Sequence, residues 1–171
     1  AGLIAWADEG VRAWDDRVGR LIALGTNVDS AASIAFRSDG ARAAVSGWSS
    51  STPNSGMYII DVASRRTMFS RDIGLANDTD VAFSPDGSLL AFASGDRFEI
   101  VDSRLRPQKQ LASLPQYTTP EHVAFSPDGR WIAAGLSGPQ PGVTVWPVAG
   151  SPDPVVLDTG RLTYGPQPLA F

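Results

Sequence analysis

The chain has 171 residues, with 43% hydrophobic and 19% charged side chains, which suits a folded core and excludes wholesale disorder. Its formal net charge is −4; the basic residues are dispersed, with a single lysine at Lys109, so neither nucleic acid nor an anionic membrane is an expected partner. Cysteine is absent, which removes disulfides, zinc–thiolate sites and thiol nucleophiles and fits the cytoplasm or an exported compartment equally. No apolar run reaches the roughly 20 residues of a spanning helix, and no signal-peptide pattern opens the chain. Because Ala1 replaces a starting Met, an upstream segment is expected.

In chain order, Leu3–Ala7 reads as a strand, Asp8-Glu9-Gly10 as its turn, and Val11–Asp15 and Arg20–Leu24 as two more strands. A motif then appears at Ile34-Ala35-Phe36-Arg37-Ser38-Asp39-Gly40. It returns at Val81-Ala82-Phe83-Ser84-Pro85-Asp86-Gly87 and at Val123-Ala124-Phe125-Ser126-Pro127-Asp128-Gly129, and begins again at Leu169-Ala170-Phe171. The four Phe residues stand 47, 42 and 46 positions apart. Each copy reads as the end of a buried strand followed by a tight turn. Pro85 and Pro127 preset φ for the turn, Asp39, Asp86 and Asp128 can accept local backbone hydrogen bonds, and Gly40, Gly87 and Gly129 take the left-handed conformation. Ser38 replaces proline in the first copy and is expected to loosen that turn.

After each turn comes a second strand (Ala41–Ser46, Ser88–Ser94, Arg130–Leu136), then a third (Met57–Val62, Arg97–Asp102, Gly142–Val148), then a more polar fourth (Arg66–Ile73, Gln108–Leu114, Pro154–Asp158). Alternation is clearest at Phe98, Ile100 and Asp102 on one side and Glu99 and Val101 on the other. Four antiparallel strands per period make a propeller blade. The predicted fold is therefore an all-β propeller of about four blades' worth. It divides into a partial blade at 1–26, blades at 27–74, 75–116 and 117–164, and the first strand of a further or closing blade at 165–171.

These copies, with Trp14-Asp15 at the end of a third strand and Ile60-Asp61, Val101-Asp102 and Trp146-Pro147 in the same place, resemble the WD40 repeat family and its bacterial, TolB-like relatives. The resemblance covers nearly the whole chain and implies a segment of a larger propeller, completed by the remaining blades of the same parent chain. It implies a protein- or peptide-binding scaffold or sensor without cofactor. The alternative is part of a lactonase-like or peptidase-associated propeller whose catalytic residues lie elsewhere, since such propellers share the Ser-Pro-Asp-Gly turn. The Gly-His pair common in WD40 blades is missing. Asp8 and Asp96 match the family's tight-turn Asp, and Ser46 and Ser94 its second-strand hydroxyl, so its buried Asp–His–Ser/Thr–Trp network is incomplete.

Little in the chain points to catalysis or metal binding. His122, the sole histidine, lies in a repeated first strand and reads as a polar residue near a strand start. The run Asn77-Asp78-Thr79-Asp80 lacks the glycine bend and distal glutamate of a calcium loop, so no metal is expected. Binding is expected on the face formed by the loops between second and third strands and between blades, as in the resembling families. The candidates are Trp6, Trp48, Asp78, Asp80, Tyr117 and Glu121. For Trp6, placed at the position matching Trp48, and for Trp48 itself, packing between blades is the competing and preferred reading, because Trp is buried on average. Trp131 and Trp146 read as core.

Overall fold

The computed structural model describes residues 3–8, 10–15, 19–24, 28–50, 55–74, 79–95, 97–111, 119–138, 142–149 and 153–157. These hold fifteen strands and no helix. The first sheet contains β1 (Leu3–Asp8), β2 (Gly10–Asp15) and β3 (Arg20–Ala23). The second contains β4 (Ser30–Phe36), β5 (Arg42–Trp48), β6 (Ser55–Asp61) and β7 (Arg66–Gly74). The third runs through β8 (Thr79–Phe83), β9 (Leu89–Ser94), β10 (Arg97–Asp102) and β11 (Pro107–Gln110). The fourth holds β12 (Thr119–Phe125), β13 (Trp131–Ser137), β14 (Gly142–Pro147) and β15 (Val155–Leu157). Every pairing is antiparallel between consecutive strands, as four-stranded blades require. The strand expected at Pro168–Phe171 lies outside the described residues.

The motif turns form as their residues dictate. Gly87 N–H donates to the Ser84 carbonyl at 2.8 Å, and Gly129 and Gly40 repeat this bond to Ser126 and Arg37. All three glycines have φ near +69°, a conformation costly for a side chain with Cβ. Asp86 accepts from the Ser84 hydroxyl (2.6 Å) and the Ser88 N–H (3.0 Å), and Asp128 accepts from the Ser126 hydroxyl and the Arg130 N–H in the same way. The Ser38 copy is not loosened. Asp39 accepts from the Arg37 guanidinium and the Ala41 N–H, while the Ser38 hydroxyl donates to the Pro85 carbonyl of the next sheet at 3.0 Å.

The sheets stack face to face, and their period-2 alternation sends one side of each sheet toward the preceding sheet and the other toward the following one. Ala43, Val45, Tyr58 and Ile60 pack against Val11, Ala13, Ile22 and Leu24 of the first sheet. Ala44, Met57 and Ile59 meet Leu90, Phe92 and Val101 of the third. Ala91, Ala93, Phe98 and Ile100 meet Ile132, Ala134, Leu136 and Trp146 of the fourth. Phe98 and Trp146 touch edge-to-face with centroids 4.9 Å apart, a geometry that adds to their area burial. Trp146 is core as expected, and its indole Nε1 has no hydrogen-bond partner among the described residues. Trp131 departs from the expectation of core: it is 37% exposed at the start of β13, on the side of the fourth sheet that no described sheet covers.

Candidate functional site

Among the first strands, β8 contacts both β4 and β12, so the three line one edge of the stack. At one end of that edge, the residue before each Ile/Val-Ala-Phe copy diverges to a polar side chain: Ser33, Asp80 and His122. In β4 and β12 a bulge precedes this position, between Ala31 and Ser33 and between Pro120 and His122. A bulge re-aims the following side chain, and Glu121, one of the expected binding residues, is the extra residue of the second bulge.

Asp80 joins three sheets. Its Oδ1 accepts from the Ser33 hydroxyl at 2.5 Å, and its Oδ2 accepts from the Val123 N–H at 2.9 Å. Its own Oδ1 also caps the Val81 N–H at 2.9 Å. The His122 Nδ1 stands 3.7 Å from Asp80 Oδ2, with both side chains partly exposed. This arrangement does not activate a nucleophile, because the serine donates to the carboxylate instead of to the imidazole. Among the described residues no group of three or more His, Asp or Glu side chains is placed to hold a metal ion.

Trp48 ends β5 at the same end of its sheet, paired with Ser30 and Ser55. It is 47% exposed, so about half of the side chain faces solvent, more than packing between blades predicts. The strand end beneath it is tied down. Asp29 N–H donates to the Trp48 carbonyl at 3.0 Å, and the Ser50 N–H donates back to the Asp29 carboxylate. Hydrogen bonds from the Ser50 hydroxyl and N–H hold the Asp29 carboxyl below its ordinary range. Gly47 permits this geometry, since a Cβ there would lie 2.3 Å from the Ser30 carbonyl oxygen.

The structure thus brings Trp48, Asp80 and Glu121 to one end of the sheets. Asp78 and Tyr117 lie outside the described residues. Trp6 does not match Trp48. It pairs with Arg12 in mid-strand, and its register counterparts are Val45, Phe92 and Ala134; the strand position matching Trp48 is Glu9, outside the described residues. Sequence reasoning undervalued Ser33 and His122. The available signal was the motif itself, in which one position carries three unlike polar residues beside three near-identical ones.

Comparison with known proteins agrees with the repeat. The model of the WD domain, G-beta repeat, matches residues 77–98 and 108–138. An uncharacterized WD repeat-containing protein of Synechocystis sp. is 30% identical over 96 residues, covering 56% of this chain and 27% of its own. Mitogen-activated protein kinase-binding protein 1 of Mus musculus is 33% identical over 69 residues, 40% of this chain and 4% of that protein. The chain therefore spans about a quarter or less of the length of these curated relatives. Among solved structures, the hydrazine synthase of Kuenenia stuttgartiensis superposes with a TM-score of 0.67 at 20% identity, over 87% of this chain and 43% of that one. The β-propeller domain of Myceliophteria thermophila Cps50 (Swd1) superposes with a TM-score of 0.65 at 19% identity, over 85% and 52%. The repeated motif, the stacked antiparallel sheets and these likenesses lead to one conclusion: this chain is built of β-propeller blades, and over residues 77–98 and 108–138 they are similar to the WD domain, G-beta repeat.

Proposed function

We propose that this propeller is a non-catalytic scaffold that binds a protein or peptide through the sheet end carrying Trp48, Asp80 and Glu121, with Asp78 and Tyr117 as further contributors. The division into a partial blade 1–26, blades 27–74, 75–116 and 117–164 and a strand from 165 belongs to the same proposal. One observation carries it: a large aromatic side chain stands half in solvent on a strand end held by two hydrogen bonds. Exposed Trp on a rigid support supplies contact area at little ordering cost and is enriched among binding hot spots. A relative named for binding a mitogen-activated protein kinase supports a protein partner.

The test is affinity capture by the immobilised chain, with bound proteins quantified by mass spectrometry. Trp48→Ala should lose the partners that the wild type retains. Asp39→Ala, at the opposite end of its sheet, should keep them. Unchanged capture by Trp48→Ala, with circular dichroism showing an intact fold, would remove the proposed face.

A further inference from the structure

The gaps between successive motif turns are filled unequally. Between the turns of the second and third sheets, the chain supplies its own plug. The Arg37 stem lies across Gly87, where an added Cβ would come 2.4 Å from its Cγ and Cδ. The Arg37 guanidinium donates to both oxygens of Asp39, and its side chain is only 23% exposed. The Ser38 hydroxyl crosses the same gap to the Pro85 carbonyl.

Between the turns of the third and fourth sheets, Ser84 and Pro85 stand in the places of Arg37 and Ser38. A Cβ at Gly129 would meet only the Pro85 ring, at 3.6 Å, and among the described residues no side-chain hydrogen bond joins the two turns. A cleft of about 180 Å³ opens there, lined by Ser84, Pro85, Asp86, Leu89, Asp128 and Gly129. Pro85 and Leu89 make it partly apolar, and each turn brings one carboxylate. Among the described residues Asp86 forms no ion pair and the Asp128 Oδ2 has no hydrogen-bond partner. Arg130 offsets part of the Asp128 charge but lines a separate cleft with Trp131 and Pro147. The gap lies between two neighbouring sheets, so a sheet added at either end of the stack does not fill it.

We propose that this cleft receives an arginine side chain of a partner protein, seated as Arg37 is seated one repeat earlier. The guest's aliphatic stem lies over Gly129, Pro85 and Leu89, and its guanidinium bonds the Asp86 and Asp128 carboxylates. Arginine suits the cleft better than lysine, because its planar fork can bond two carboxylate oxygens while its stem covers apolar surface. The site stands at the opposite end of the sheets from Trp48 and is independent of the face proposed there.

Titration of the 171-residue chain with acetyl-Gly-Arg-Gly-amide, followed by NMR amide shifts, tests this. The expected result is saturable shifts confined to residues 84–89 and 126–130, with a dissociation constant on the order of millimolar. The same peptide with lysine or citrulline in place of arginine should bind about threefold more weakly or worse. Asp86→Asn and Asp128→Asn should each weaken binding by about threefold or more. Ser84→Arg copies the first turn and should abolish binding by filling the cleft from within; Arg37 shows that the turn closes around arginine, and circular dichroism checks the fold. Trp48→Ala should bind the peptide as the wild type does. Absence of saturation, equal binding of the lysine peptide, shifts centred elsewhere, or undiminished binding by folded Ser84→Arg would each overturn the proposal. Binding that emerges only in Arg130→Ala would place that neighbour in the cleft already and would overturn it too.

Discussion

The two ends of the sheets use the same side chains for different ends. At the turn end, Asp86 and Asp128 each bond to partners two residues away, within a turn that copies itself from sheet to sheet. At the opposite end, Asp80 reaches Ser33 and Val123, 47 and 43 positions distant, and nothing else in its register repeats it. A repeated aspartate beside glycine is a local folding device. A solitary aspartate in the same chain is an assembly or recognition device, and divergence at one position of a repeat is the more informative signal.

Four substitutions sharpen that contrast. The largest effect is expected from Phe98→Ala, which supports both ends from the shared core: loss of a fully buried ring against Trp146 should cost about 3–5 kcal/mol in denaturant unfolding. An effect below about 1 kcal/mol would mean that the sheets do not depend on this interface. Asp80→Ala follows, at roughly 1–3 kcal/mol, because the Val123 and Val81 N–H groups lose their acceptor. Amide exchange should accelerate at Val81 and Val123 and stay unchanged at Gly87 and Gly129. Equal acceleration at both ends would erase the distinction.

Asp86→Ala should cost about 1 kcal/mol or less, since the carboxylate is largely exposed. Its signature is pH dependence. The Ser84 hydroxyl, then the Ser88 N–H and hydroxyl, hold the Asp86 carboxyl below its ordinary value. A depressed folded-state pKa gives stability that is present above the unfolded-state value and lost as pH falls through the folded-state one. The wild type should therefore lose more stability than Asp86→Ala between neutral and acid pH, read by denaturation midpoints; parallel acid limbs would contradict the bond pattern. A similarly small stability effect is expected for Trp48→Ala, about 1 kcal/mol or less, because about half of the side chain stays in solvent in the folded state. A loss above about 2 kcal/mol would show Trp48 to be a packing residue after all.

Much of the architecture was legible before any coordinates. Strand periodicity and the Pro-Asp-Gly turn chemistry placed most strands within two residues of their observed ends, and Trp146 as core. The exceptions share a cause. Trp131 has the apolar character of a core residue and sits in a core strand, yet whether it is covered depends on a sheet stacked from outside its own repeat. Trp48 faced the same ambiguity and resolved toward solvent. Trp6 was misplaced because two short strands can be aligned by composition in more than one register, and only the ladder with Arg12 decides.

The sequence alone determined that this protein is an array of four-stranded antiparallel units, because alternation and turn formation are set by residues a few positions apart. Only the tertiary structure decided that Ser33, Asp80 and His122 meet, and that Trp14 and Leu157 stand open. Those outcomes depend on how one sheet is stacked on the next, which brings together residues more than forty positions apart and, among the described residues, leaves one face of each outer sheet uncovered.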